Sequence, residues 1–186
     1  MKHFLSANLV GLLAISAAFG TSLHGTAGAA SPGKKANTNN LSVLKWMVGQ
    51  WTTQGTGPVA RLSVNWSTDN KYLVQKFQVD LPGQKPLHGV QRITWDPARK
   101  AIRSWIFRSD GGFAESSWSR EGDTWVVQTQ GTHADGSATS AVDLWAADGP
   151  DRCWFKSLRI SPDETSTDDK EPDDVILQFQ RTQSNK

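Results

Sequence analysis

The residues best equipped to form a chemical site lie on three neighbouring runs that alternate like β-strands. Taking the turns near Asp96 and Asp110 as marks of the strand register, alternation gathers large rings, an amide and an acid–base pair on one face: Gln91, Trp95, Arg103, Trp105, Phe107, Phe113 and Glu115. An apolar surface with a few polar groups is typical of a small-molecule pocket. The sequence predicts a ligand site if this face points inward, and a register shift of one residue would turn it outward.

Acid–base catalysis is the alternative chemistry for the same region. An isomerase or a hydrolase could use Arg103 with Glu115, or His88 as a general base. The sequence contains neither the Gly-x-Ser-x-Gly elbow of serine hydrolases nor a phosphate-binding loop. His88 and His133 are the only histidines after residue 29, and no further ligands stand at metal-site spacing. We therefore expect no metal ion and favour binding over catalysis.

Composition restricts the partners that this chain can have. Its 186 residues carry a net charge of only +2, which provides no electrostatic footprint for nucleic acid. Nine tryptophans require a large buried or ligand-facing apolar surface, so a small apolar or amphiphilic molecule is the expected ligand. A barrel filled by these rings would instead suit a protein-binding accessory. Cys153 is the only cysteine, which excludes an intrachain disulfide and a cysteine-only zinc site.

The elements that must position these residues are short strands. About ten strand-forming runs, each followed by a turn rich in Gly, Asp, Asn or Pro, extend from residue 50 to residue 182, after one helical turn at residues 41–46. Strands joined in order by hairpins form an antiparallel meander, and closure removes its exposed edges. The sequence predicts an all-β, up-and-down barrel over residues 41–183, wide enough for packed side chains or one small ligand.

The first strand begins with Gly49-Gln50-Trp51, which resembles the entrance of lipocalin-type barrels. In that family the Trp plugs the closed end of the barrel and an Arg from a late strand lies over its ring. The resemblance implies structural roles for Gly49, Trp51 and Arg181, with Arg181 stacked on the indole. The longer stretch 44–57 is similar to the opening of nitrobindin-like domains, and residues 88–113 resemble bacterial domains of unknown function with the same barrel.

The nitrobindin resemblance also bears on cofactors. Nitrobindins bind haem through a His near the C-terminal end, and the last strand-like run here, residues 175–181, contains no His. We therefore expect no haem and no other cofactor.

The two ends of the chain and one acidic segment lie outside the strand pattern. Residues 1–29 have the basic start, the apolar run and the Ala27-Gly28-Ala29 cleavage site of a secretory signal peptide, and their apolar run is too short for a membrane span. We expect a secreted or periplasmic protein with a flexible linker at residues 30–40. Residues 161–174 form an acidic segment without the ligand spacing of a calcium loop, so a solvated loop is expected. Oligomeric state and ligand identity stay open.

Overall fold

The computed structural model describes residues 41–80, 83–158 and 175–182. The predicted signal peptide, linker and acidic loop lie outside these described residues. No helix among the described residues is long and apolar enough to cross a membrane.

The described residues form ten antiparallel strands in one closed barrel. A short 3-10 helix (Ser42–Met47) comes first. The strands are β1 (Gly49–Thr53), β2 (Val59–Trp66), β3 (Leu73–Asp80), β4 (Leu87–Asp96), β5 (Ala101–Arg108), β6 (Phe113–Glu121), β7 (Thr124–Thr132), β8 (Ala138–Ala147), β9 (Arg152–Leu158) and β10 (Val175–Thr182). Each strand pairs with its neighbours along the chain, and β1 pairs with β10 to close the ring. The predicted all-β up-and-down barrel is therefore confirmed.

The barrel interior follows from the period-two alternation of the strands. In β2 the side chains of Ala60, Leu62 and Val64 are buried, whereas those of Arg61 and Asn65 are exposed. Successive side chains of a strand point to opposite faces of the sheet, so one set fills the barrel and the other meets water. This alternation places a single apolar core inside the ring of strands.

The two ends of the barrel are built differently. The 3-10 helix covers one end, here called the helix end, and it buries Leu44 and Met47 against the core. Tryptophans near the strand termini of that end complete the packing, namely Trp66, Trp95, Trp118 and Trp125. At the opposite end, here called the far end, turns at residues 54–58, 109–112 and 133–137 join the strands.

The register between β4 and β5 corrects the expected site face. Asp96 pairs with Ala101 across a four-residue turn, which Lys100 completes with a positive φ of 51°. Because the turn contains an even number of residues, odd-numbered residues of β4 pair with even-numbered residues of β5. Trp95 therefore pairs with Ile102. The expectation that Trp95 and Arg103 share a face assumed a register that differs by one residue, and such a slip exchanges the two faces of β5.

The seven predicted site residues are consequently divided between two surfaces. Gln91 and Trp95 face the interior. The other five face outward, because the inward positions of β5 and β6 are Ile102, Ser104, Ala114, Ser116 and Trp118. Five of the seven therefore do not share the interior face on which they were expected: Arg103, Trp105, Phe107, Phe113 and Glu115.

Candidate functional site

The barrel encloses a cavity of about 110 Å³ that reaches toward the far end. Its lining is mainly apolar and comes from eight of the ten strands: Ala60, Leu62, Gln75, Phe77, Val79, Leu87, Gln91, Ile106, Arg108, Val127, Thr129, Asp143, Trp145, Phe155 and Phe179. An apolar cavity of about 150 Å³ holds a benzene molecule, and one water occupies about 30 Å³ of liquid. The cavity is somewhat smaller than one that holds benzene, so a ligand with one small ring would fill it.

Aromatic rings form one wall of this cavity. The ring centroid of Trp145 lies 4.7 Å from that of Phe155 and 5.8 Å from that of Phe179, the latter nearly parallel. Rings packed in this way stabilise one another by about 0.5–1.5 kcal/mol per pair beyond their burial. The wall is consequently held in place before any ligand arrives.

Asp143 provides an acid inside the cavity. It lies on β8 with 7% of its surface exposed, and the hydroxyl of Ser157 donates a hydrogen bond of 2.7 Å to its Oδ1. Burial raises the pKa of Asp143 to about 7, because a charge loses its hydration there, while the Ser157 hydrogen bond works in the opposite direction. The acid therefore changes its charge near neutral pH.

Gln75 contributes a second polar atom to the cavity. Its side-chain Oε1 is buried and has no hydrogen-bond partner among the described residues. Gln75 lies on β3 and Asp143 on β8, and these strands stand five places apart in either direction around the ring of ten. The two acceptors therefore belong to opposite walls. A buried acceptor without a partner costs about 1–3 kcal/mol, which a donor brought by a ligand would offset.

A buried hydrogen-bond cluster holds Gln91, the one residue of the expected ligand set that lines the cavity. Its Nε2 donates to Ser104 Oγ over 2.8 Å, and Trp118 Nε1 donates to the same oxygen over 2.9 Å. Ser116 and Thr129 share a further bond of 2.9 Å beside them. The amide of Gln91 is thus oriented by the protein.

Arg108 introduces a positive charge where β5 ends. Its side chain is only 5% exposed and lines the cavity, and its guanidinium pairs with the carboxylate of Asp110. Asp110 in turn accepts the backbone N–H of Gly112 over 3.0 Å. The charge of Arg108 is therefore balanced within its own hairpin.

The residues named for acid–base catalysis do not line the cavity. Arg103 pairs with Glu115 and, at 3.7 Å, with Asp96, and its guanidinium carbon stands 5.7 Å from the centroid of the Trp105 ring. This cluster lies on the outer surface of the barrel. His88 is exposed on the outer face of β4. An ion pair on the outer face holds neighbouring strands together but has no access to the interior.

Sequence reasoning missed Asp143 and Gln75, although the signal was present. Asp143 occupies the same alternating positions as Ala141 and Trp145, and Gln75 stands between Leu73 and Phe77 on an otherwise apolar face. A polar residue on an apolar strand face is informative because its burial needs a compensating partner.

At the helix end the structure brings Gly49, Trp51 and Arg181 together. The guanidinium carbon of Arg181 lies 4.1 Å from the centroid of the Trp51 ring, and Trp51 Nε1 donates to the Met47 carbonyl over 2.7 Å. Arg181 also donates to the Trp46 carbonyl over 3.1 Å. Gly49 has a φ of 140°, and a side chain there would collide with the guanidinium.

Comparison with known proteins assigns no family. No protein-family model and no curated protein matches the chain. Within the described ranges, no group of three or more His, Cys, Asp or Glu side chains is arranged to hold a metal ion.

Proposed function

We propose that this protein is an exported, lipocalin-like binding barrel that holds one small, largely apolar molecule in its cavity. The observation that carries the proposal is the cavity of about 110 Å³, walled by aromatic and aliphatic side chains with a few polar groups among them. This combination is typical of small-molecule sites. A barrel that served only as a packed accessory would fill this space with side chains.

The size of the cavity limits the affinity to be expected. The best very small ligands gain at most about 1.5 kcal/mol per non-hydrogen atom, and most gain much less. A ligand of one ring and one or two further atoms should therefore bind with a dissociation constant between about 1 mM and 1 µM. The protein would suit transport or buffering of a metabolite better than its tight capture.

The lipocalin-like part of the proposal is supported by the helix end. A helical turn, a Gly-x-Trp at the first strand and an Arg from the last strand over the indole occur together here. The arrangement closes the helix end of the barrel.

Export is supported by the composition of residues 1–29. Sequencing the N-terminus of protein recovered from its own cell envelope or medium should find a start at or near Ala30. Recovery of the protein from the cytoplasm with Met1 retained would exclude export.

The binding proposal is tested by filling the cavity. Ala60 is buried on the cavity wall, so Ala60→Leu should occupy much of the space and weaken toluene binding by about tenfold or more, measured by titration calorimetry. Ala147→Leu adds the same atoms at an exposed position on β8 and serves as the matched control. Toluene binding that is absent from the unmodified protein, or equal in both variants, would exclude the cavity as the site.

A further inference from the structure

We propose that the cavity selects a small aromatic amine, bound as its ammonium ion to Asp143. The inference rests on the proposed function and names the class of ligand. Three observations on the cavity walls support it: a buried carboxyl group, an orphaned carbonyl oxygen on the opposite wall, and aromatic rings between them.

The carboxyl group of Asp143 has capacity for a further donor. Ser157 donates to Oδ1 only, and no described residue donates a hydrogen bond to the second oxygen. An ionised carboxylate has room for several donors, and a bond from a cationic donor is about twice as strong as one between neutral groups. An ammonium group carries three donors and the positive charge that would pair with a buried carboxylate.

Gln75 provides a second acceptor for the same kind of ligand. Its Oε1 is buried, has no partner in the part of the chain that the structure describes, and belongs to a residue of the cavity lining. Because β3 and β8 lie opposite each other in the ring, the acceptors of Gln75 and Asp143 belong to opposite walls of the cavity that the ligand would occupy. A carboxylate ligand would meet two acceptors there and would be repelled.

The aromatic wall also favours a cation. Trp145 lies on the same strand face as Asp143, two residues along β8, and packs against Phe155 and Phe179. The faces of aromatic rings carry negative potential, and a desolvated cation over such a ring gains about 2 kcal/mol or more. Ring stacking and ion pairing can therefore act on one ligand at once.

Other ionisable groups around Asp143 do not provide a competing partner among the described residues. On β9, Cys153 is buried and its thiol pKa is raised to about 12 by burial, so it stays neutral. On β7 the inward neighbours are Val127 and Thr129. On β5, Arg108 is cationic, but it is paired with Asp110 in its own hairpin. The ammonium group of a ligand would thus provide the positive partner for the Asp143 carboxylate.

The pH dependence of binding follows from proton linkage. A free acid with a pKa of about 7 must lose its proton before it pairs with an ammonium ion. Benzylamine affinity should therefore rise by about tenfold between pH 6 and pH 8 and level off above that range. Benzyl alcohol, which has the same shape without the charge, should show no such rise.

The experiment compares benzylamine, benzyl alcohol, benzoate and toluene by titration calorimetry at pH 6 and pH 8. At pH 8 we expect benzylamine to bind at least about tenfold more tightly than benzyl alcohol, and benzoate to bind least. Asp143→Asn should remove the advantage of benzylamine and its pH dependence while toluene binding stays within about threefold of the unmodified protein. Glu115→Gln, which removes an acid from the outer face, is the matched control and should change neither.

Each alternative result has a definite meaning. Toluene binding without a preference for benzylamine would overturn the amine inference and leave the proposed function standing. Tightest binding of benzoate would point to Arg108 and also overturn it. Failure of all four probes would exclude the proposed function itself. If Asp143→Asn does not fold, the pH series on the unmodified protein and Gln75→Leu, expected to weaken benzylamine more than toluene, decide the question.

Discussion

The helix end of the barrel and its cavity both contain tryptophan side chains, but these rings stabilise the fold at the helix end and line an unfilled space in the cavity. At the helix end, indoles are fixed by hydrogen bonds and by a guanidinium, as in the contact of Trp51 with Met47 and Arg181. In the cavity, Trp145 packs against the rings of Phe155 and Phe179 and lines the space that also contains Asp143. One end thus secures the fold, and the other retains room and an acid at some cost in stability.

The comparison predicts its largest effect at Trp51. Trp51→Ala should lower the free energy of unfolding by about 3–5 kcal/mol, because it removes a nearly fully buried ring and leaves a cavity beneath the Arg181 guanidinium. Urea unfolding followed by circular dichroism measures this. Phe113→Ala, at a ring that is 55% exposed, should cost less than about 1 kcal/mol. Similar losses in both variants would show that the helix end does not anchor the barrel.

The second-largest effect concerns Asp143, whose ionised carboxylate should lower the stability of the fold, whereas the Trp51 ring raises it. Its folded pKa of about 7 lies above the unfolded value of 3.8, so the fold binds the proton more tightly than the unfolded chain does. The contribution of Asp143 to the stability of the ligand-free protein should therefore fall as pH rises from about 4 to about 7, by up to roughly 4 kcal/mol, and should not recover above that range.

Asp143→Asn separates this penalty from the general pH response. The variant should be more stable than the unmodified protein at pH 8 and about equally stable at pH 4, measured by urea unfolding at both values. An equal difference at the two pH values would show that the carboxyl group is not desolvated in the fold. Glu115→Gln, at an acid with 45% side-chain exposure, should show no comparable gain at pH 8.

The smallest effect is expected on the outer face. Trp105→Ala removes a ring that stacks with Arg103 on the surface, so it should cost about 1 kcal/mol of stability and leave toluene affinity within about twofold. This replaces the expectation, drawn from the alternation alone, that Trp105 contacts the ligand. A loss of toluene affinity of about tenfold would show that Trp105 points into the barrel and would contradict the register of β4 and β5.

The features that the sequence predicted correctly depend on residues that are close together along the chain. The strands and turns follow from alternation and from turn-forming pairs such as Asp135-Gly136, since a glycine accepts the positive φ that the turn requires. Pairing of successive hairpins then leads to a meander, and ten strands are enough to close it. The shared outer face of Arg103, Trp105 and Glu115 was also recognised from the β5–β6 hairpin, but its direction was not.

The amino-acid sequence by itself determined the class of fold, because hydrogen-bonded strands and tight turns depend on neighbours along the chain. Only the tertiary structure decided which face points inward, because four residues rather than three or five separate β4 from β5, and that count acts through the pairing. It also decided the chemistry of the cavity. Asp143 becomes an acid that titrates near neutral pH only when eight strands remove it from water, and this desolvation is a property of the closed barrel and not of any segment of it.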